Sequence, residues 1–494
     1  MPGLTSSMNI GLSGLQATQS ALNVIGHNIT NVNTPNYSRQ RVDLSSTGAV
    51  AFGNLEYGQG VTLSSITGMR NRFLDLQISQ TLSRESGAQT RDTSIEAVST
   101  AFNETGTNGL SQLVNNFFKG FQDLAANPEN TALRTNLVGQ AQTLVDGMKS
   151  QYSLITQQRN SANAAVGDLT TEVNTITSQI AELNKTIATE VVDGSNNDAR
   201  DQRSALVDKL SKLVGIQGFE DDQGRLQIML ESGGGVLVAG NIANKLQATP
   251  DPALANYSRV DLVTPGGGTT DVTGDIKEGE LGGQLDLRDN ILSTYQTQMD
   301  QLAAGVVSGV NMLHRAGFAL NGVTTNVDFF QGAAANQVAN GLPTGVTAAT
   351  GYQGMVNALS VNSAIKANPS LIAAAGLAAQ PGDNTQAKAI YNLMNSTSAV
   401  DTNGDGVGDS GPYSTVVSSL VNTMGTDAQR YSTNATNFAN LGTALVNQRS
   451  SVSGVDLDEE ATNLMAFQRG YQASARFINV IDQLTNQLIN NFGQ

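Results

Sequence analysis

The stretch NVNTPNYSRQRVDL, residues 31–44, decides how this chain reads. It ends an apolar-periodic run, turns at a proline, and delivers Arg39 and Arg41, the first charges of the chain, because residues 1–38 hold no Asp, Glu, Lys or Arg. Ahead of it, Met8, Leu15, Leu22 and Ile29 share one seven-residue register, with Leu4, Leu12 and Ile25 beside them, which predicts an amphipathic helix over 4–29. The other face is Asn, Gln, Ser and Thr, and Gly3, Gly11, Gly14 and Gly26 lower its intrinsic helicity, so the helix needs a partner surface. The residue before a proline is biased away from α, so Thr34 and Pro35 stop the helix. Tyr37 can then anchor the turn, its ring packed and its hydroxyl wet. An ordinary exposed turn is the alternative.

The other end has the same character. Leu457, Leu464, Tyr471 and Ile478 fall in one heptad register, and Phe467, Ile481 and Leu488 in the neighbouring one. Asp458, Glu459 and Glu460 stand near the start of this helix, where the macrodipole favours acids, and after Arg476 only Asp482 is charged. Two weakly charged heptad helices at opposite ends either pair with one another or pack each on its own local domain.

Between them the chain reads in blocks. Residues 130–190 are nearly free of Gly and Pro and carry Val166, Leu169, Val173, Ile176, Ile180, Leu183 and Ile187 at steps of three and four, a long helix. VVDGSNNDARDQ breaks it, and Ala205, Leu206, Leu210 and Leu213 build a second helix folding back. From 216 to 283, alternating apolar runs punctuated by Gly and Pro read as a small antiparallel domain, and helix is expected again at 285–315 and 414–450. The expected fold class is mostly α with β-rich insertions, an elongated multidomain chain. Residues 1–65 and 450–494 would form the terminal region, 66–215, 284–317 and 413–449 a helical domain, 216–283 a β-rich insertion, and 318–412 a mixed outer insertion.

Composition excludes several classes. With 494 residues the chain needs several cores. Its 42 acidic against 27 basic residues, without a basic patch, argue against nucleic acid and anionic membranes. Zero cysteines exclude disulfides, thiolate metal sites and cysteine nucleophiles. The N-terminus has neither a basic segment nor a continuous apolar run, so a cleaved secretory signal is not expected, and no window approaches the roughly 20 apolar residues that span a bilayer.

No catalytic constellation emerges, and the expectation is a protein that is not an enzyme. His27 and His314 are the only histidines, in no metal-ligand spacing; GLSG at 11–14 lacks the nucleophile-elbow spacing, and GDGVGD at 404–409 follows no strand. In DTNGDGVGDSGP, Asp401, Asn403, Asp405 and Asp409 are placed like the first part of an EF-hand calcium loop, but Pro412 stands where the bidentate Glu belongs. An Asx- and Gly-rich turn is the alternative, and no other cofactor is expected.

GHNITNVNTPNYSRQRVDL, at 26–44, resembles the N-terminal signature of bacterial flagellar axial proteins: Asn28, Asn31, Asn33, Thr34, Pro35 and Tyr37, then Ser38, Arg39 and Gln40. It departs at His27, Thr30 and Asn36. Asn is the non-glycine residue that best tolerates the left-handed conformation, so the change at 36 is mild. The Tyr-Ser-Arg-Gln continuation, the closing SGVDLDEEATNLMAFQRGYQASARFINVIDQL at 453–484, and internal segments such as FFKGFQDLAANP and NDARDQR resemble the hook-associated proteins of the hook-filament junction, the FlgK family. That resemblance implies a secreted structural subunit, exported unfolded by the flagellar type III apparatus and assembled in a helical ring, with paired terminal helices in a coiled-coil-like domain lining an export channel. It implies partners in other copies of the chain, in hook protein, in a second junction protein on the filament side, and in an export chaperone at the C-terminal helix. The apolar stripes of both terminal helices would serve subunit packing, and Arg39 and Arg41 would meet carboxylates of the layer below. The alternative is a calcium-binding secreted enzyme or adhesin using the 401–409 loop.

Overall fold

The computed structural model describes residues 2–52, 55–102, 109–189, 196–331, 352–395 and 411–492. The chain divides into two compact units, one of Met1–Gly87, Gly167–Gly282 and Thr436–Gln494, the other of Ala88–Val166 and Gly283–Ala435.

In the first unit, helix α1 (Pro2–Thr30) runs to the signature turn. The chain continues into β1 (Gln40–Ser46), the short pair β2 (Val50–Phe52) and β3 (Leu55–Tyr57), and β4 (Val61–Gly68), which pairs antiparallel with β1 from Gln40↔Gly68 to Ser46↔Val61. Sequence reading assigned no strands here, although Val42 and Leu44 alternate with polar residues as Val61 and Leu63 do; the runs are short and only partly buried. Helix α2 (Arg72–Ala101) follows, then α3 (Leu110–Ala126) and the 58-residue α4 (Thr131–Ala188), as the break-free run at 130–190 predicts. Helix α5 (Asn197–Leu213) comes next.

Seven strands occupy 216–271: β5 (Ile216–Glu220), β6 (Leu226–Leu230), β7 (Val236–Ala239) and β8 (Ile242–Ala243) in one antiparallel sheet, and β9 (Lys245–Pro250), β10 (Ser258–Val263) and β11 (Thr269–Asp271) in another. The heptad stripe of α4 explains their docking. Val173, Ile180 and Ile187 are buried, Asn174 brackets the backbone N–H and C=O of Leu246 at 2.7 Å each, and Asn184 bonds Leu226 and Gly240. A buried amide that satisfies two strand ends costs little and fixes register.

Helix resumes earlier than the expected 285, as α6 (Gly279–Asp286), a π turn at Leu287–Ile291 and α7 (Leu292–Ala316). The glycines of GELGG read as a loop but serve close packing. Gly279 has φ 78°, and a Cβ there would stand 2.5 Å from the backbone N of Val214.

The second unit is built on aromatic rings. Phe117, Phe118 and Phe121 of α3, all fully buried, meet Phe329, Phe330 and Tyr413, with Phe118 stacked on Tyr413 at 5.3 Å and Phe329 edge-on to Phe330 at 4.9 Å. The mixed region supplies β12 (Phe330–Gln331), α8 (Met355–Ala358), β13 (Ser360–Val361), α9 (Ser363–Ala367) and α10 (Thr385–Asn392). Three buried polar side chains of α7 hold it. Asp300 accepts from Gly354 and Val356 N–H at 2.9 and 2.8 Å, Asn311 bonds Phe329 and Phe330, and His314 accepts from Ala373 N–H at 2.9 Å through Nε2. Helices α11 (Tyr413–Ser453) and α12 (Leu457–Phe492) complete the chain.

The termini do pair. α12 runs antiparallel to α1, with Gly11 against Phe477 and Ile478, Gly14 against Ser474, and Gly470 against Thr18. A Cβ on Gly11 would lie 2.8 Å from Ile478, so the glycines that weaken an isolated helix let these two approach.

Candidate functional site

The signature turn is a joint where four parts of the first unit meet. Its centre is Asn28, 1% exposed. The Asn28 amide donates to Gln40 C=O and accepts from Gln40 N–H, both at 2.9 Å, which fixes which end is oxygen. The Tyr37 hydroxyl therefore donates to Asn28 Oδ1, at 2.8 Å, while its oxygen faces His27 Nδ1 at 3.0 Å. Burial first, then the nearby carboxylates of Asp201, Asp198 and Glu460, raise the Tyr37 phenol well above its ordinary value, so it remains a donor. Asn31 and Thr34 close the turn, Asn31 donating to His27 C=O at 3.0 Å and the Thr34 hydroxyl to Asn31 at 3.1 Å, while Asn33, Thr34 and Pro35 stay exposed.

Helix α5 docks the turn. Ser38 is buried, its N–H donating to Asp201 at 3.1 Å and its hydroxyl accepting from Arg70, which also pairs with Asp201. Burial raises the Asp201 carboxyl despite Arg70. Asn36 takes the left-handed conformation, φ 61°, and its amide lies between Asp208 at 3.0 Å and Arg449 at 2.7 Å, two groups themselves paired at 3.0 Å. Gln40 reaches Asp198 at 3.1 Å. The segment NDARDQR thus supplies the carboxylates that receive the turn.

Arg39 joins the two ends of the chain. Its N–H donates to Ser453 C=O at 2.9 Å; its guanidinium grips Glu459 with two bonds, 2.9 and 2.7 Å, and Glu460 with a third at 2.7 Å. The hydrogen bond to Glu459 leads the causes that raise the Arg39 value above that of a free guanidinium. Glu460 is 1% exposed and its Oε2 has no hydrogen-bond partner, so Arg39 is what neutralises that buried carboxylate. Asp456 caps the same helix, accepting from the Asp458 and Glu459 N–H groups. Within this chain the carboxylates that Arg39 meets are its own, and Arg41, 64% exposed, turns to Asp43 at 3.0 Å. The chain closes on itself because Asp458–Glu460 open a helix whose start lies beside the turn.

The expected stripe on α1 is only partly used within the chain. Ile25 is buried, Leu4, Leu15, Leu22 and Ile29 are half-buried, and Met8 and Leu12 are 44% and 47% exposed; Ala17, Ala21 and Val24 are buried instead. Small residues allow the close approach to α12, which turns the large ones sideways. On α12, Ile481 is buried, Leu464, Phe467, Ile478 and Leu488 are half-buried, and Leu457 and Tyr471 are exposed. Asp401, Asn403, Asp405 and Asp409 lie outside the described residues. Among the described residues no cluster of three or more His, Cys, Asp or Glu is arranged to hold a metal, and no helix is long and apolar enough to cross a membrane.

Three family models match this chain along its length: the flagella basal body rod protein at residues 8–37, the flagellar hook-associated protein FlgK helical domain at 95–330, and the flagellar basal body rod FlgEFG protein C-terminal at 446–491. Flagellar hook-associated protein 1 of Escherichia coli is 28% identical over 99% of this chain and 100% of its own, and that of Bacillus subtilis 27% identical over 97% and 96%. Over almost its whole length the chain is similar to the FlgK family of flagellar hook-associated proteins. The solved structure of the flagellar hook junction protein FlgK from Burkholderia pseudomallei has the same fold, with a TM-score of 0.65 at 20% identity, covering 76% of this chain and 100% of that one. The rod-type models cover the two sequences that the joint brings together, the end of α1 and the start of α12. The partners of the signature, Asp198, Asp201, Asp208, Arg70 and Arg449, are not legible as such in the sequence. They stand in three separate segments, at 70, 198–208 and 449, and nothing in the sequence links these to residue 39.

Proposed function

We propose that this chain is a structural subunit of the bacterial flagellum that forms the junction between hook and filament. The observation that carries the reading is the match to hook-associated proteins over nearly the whole chain, together with a joint that ties both signature ends through Arg39, Glu459 and Glu460. A subunit whose two ends must stand together at one place needs such a tie. In this reading the chain is not an enzyme, is exported unfolded through the type III apparatus without a cleaved signal, and assembles outside the cell in a helical array around the export channel.

The exposed apolar residues of the paired helices support self-association. Met8 and Leu12 on α1, and Phe477, Val480 and Leu484 on α12, find cover in neighbouring copies. Hook protein, a second junction protein and a chaperone for α12 are the further partners of this reading. The alternative of a calcium-binding secreted enzyme or adhesin draws no support from the relatives. Calcium at the 401–409 loop is tested by adding the ion at millimolar concentration to the full chain and watching for a shift in melting.

The decisive test is deletion of the gene in its source bacterium. Intact hooks without filaments, and flagellin shed into the medium, are the expected outcome; motile cells with normal filaments overturn the reading.

A further inference from the structure

A second polar cluster in the first unit has no part in the joint except at its border. Helices α2 and α5 and the face of the β5–β6 pair enclose a cavity of about 440 Å³ whose lining carries Arg70, Arg72, Arg200 and Arg203 but only two acids, Asp75 and Glu220. Three of the guanidiniums converge on one carboxylate. Arg72 meets Glu220 at 2.6 Å, Arg203 binds its other oxygen, and Arg200 stands 3.7 Å away. The floor is apolar, from Ile216 and Ile228, both buried, and Phe219 at the rim is 57% exposed. In a chain of net charge −15, this is a local concentration of the minority charge.

Arginine clusters against an apolar floor have a defined chemistry. The planar guanidinium fork takes a carboxylate by two parallel bonds, and burial makes each stronger because water competes less. The volume falls within the range of roughly 300–1,000 Å³ usual for ligand sites. Arg203 is 3% exposed, and burial lowers its value to about 10 although Glu220 beside it pulls the other way. Arg72 is the movable member. Its side chain is 82% exposed, so its bond to Glu220 is screened by water and can be exchanged at little cost.

We propose that this cavity is a carboxylate-accepting site, in which Glu220 holds the arginines in place and an incoming carboxylate takes Arg72 from it while the CH2 groups that carry it lie over Ile216 and Ile228. A free polycarboxylate or an acidic side chain of a second copy of this chain presents that chemistry. The site does not depend on the flagellar reading, since its residues are separate from Arg39, Glu459 and Glu460.

The experiment uses the full-length protein, with citrate as probe and sodium chloride at matched ionic strength as control. Wild type, Arg72→Glu and Arg72→Gln are compared by thermal melting and by sedimentation velocity over a range of protein concentrations. If the site accepts free carboxylates, millimolar citrate raises the melting midpoint of wild type by a few degrees beyond chloride, and both variants lose that increment. If only a second copy supplies the group, citrate has no specific effect, and both variants, folded by circular dichroism, self-associate several-fold more weakly than wild type. Absence of both effects overturns the proposal. Arg72 is exposed enough that neither substitution should prevent folding.

Discussion

Around Phe117 six aromatic rings close a dry core, and the polar groups that enter it, Asn311 and His314, are satisfied by backbone. Around Tyr37 hardly a large apolar side chain is buried, and the chain is held by an amide, a phenol and pairs of opposite charge. Helix α3, at the first site, has nine buried residues in 17. Helix α1, at the second, buries mainly alanines, Val24, Ile25 and Asn28 and leaves Met8 and Leu12 in water. The first region can stand alone because the hydrophobic term accumulates locally with buried area. The second depends on geometry brought from residues more than 400 positions apart, as Arg39 and Glu460 are, and it keeps apolar surface for something else to cover.

The sharpest way to test that contrast is Phe117→Ala. Removing a fully buried ring should cost about 3–5 kcal/mol, read by denaturant unfolding with a probe in the second unit, while protection of the Tyr37 joint in hydrogen exchange stays unchanged. Loss of both together would show that the joint leans on the core, and the comparison would fail.

Next in size is a pH effect confined to the second unit. Burial lowers the His314 value to about 4, so stability from neutral His314 is complete above its ordinary value of 6.5 and drains away as pH falls toward 4. Burial raises Asp300 to about 6 against an ordinary 3.8, so stability is gained as pH falls through 6. The two slopes oppose one another between pH 4 and 6, each worth about 3 kcal/mol at full development. Asp300→Asn should therefore make melting fall more steeply toward acid than in wild type, and His314→Gln should make it rise; two variants with the wild-type profile would remove both assignments.

In the joint the expected effects are smaller. Arg39→Ala leaves the buried Glu460 carboxylate without its partner, at a cost of about 1–3 kcal/mol, and should loosen the start of α12, seen as faster amide exchange over 457–465. An unchanged rate there would show that α12 is held by α1 alone. Asn36→Ala places a Cβ-bearing residue without a polar side chain at φ 61°, which costs about 1–2 kcal/mol, and Asn36→Gly should recover the backbone part of it but not the bonds to Asp208 and Arg449. Equal loss in both would mean that the side-chain bonds, not the left-handed turn, explain the residue.

Much of this architecture was legible beforehand because its signals are local. The 58-residue α4, the helix α5 after its break, the strands from 216 and the long terminal helices all follow from periodicity and from Gly and Pro punctuation. What escaped were features whose signal is brief or ambiguous. The β1–β4 pair is short and half-wet, and the start of α6 hides in glycines that pack rather than break. Within the joint, Asn28, Tyr37 and Arg39 stood out by their place in a motif, yet their partners did not, since nothing local in NDARDQR points to residue 38.

The sequence by itself determined where the chain is helical, where it turns, that its ends are apolar-striped and nearly free of charge, and, through two terminal signatures, the family it resembles. Those properties depend on residues a few positions apart, where backbone preference and side-chain period act directly. Only the tertiary structure decided that Arg39 answers Glu459 and Glu460 of its own chain, that glycines of α1 lie against Phe477, Ile478 and Ser474 of α12, and that three arginines gather over one glutamate. Each of these is a distance between remote segments, and such distances arise only when the whole chain has found the one packing that neutralises its buried charges and fills its core.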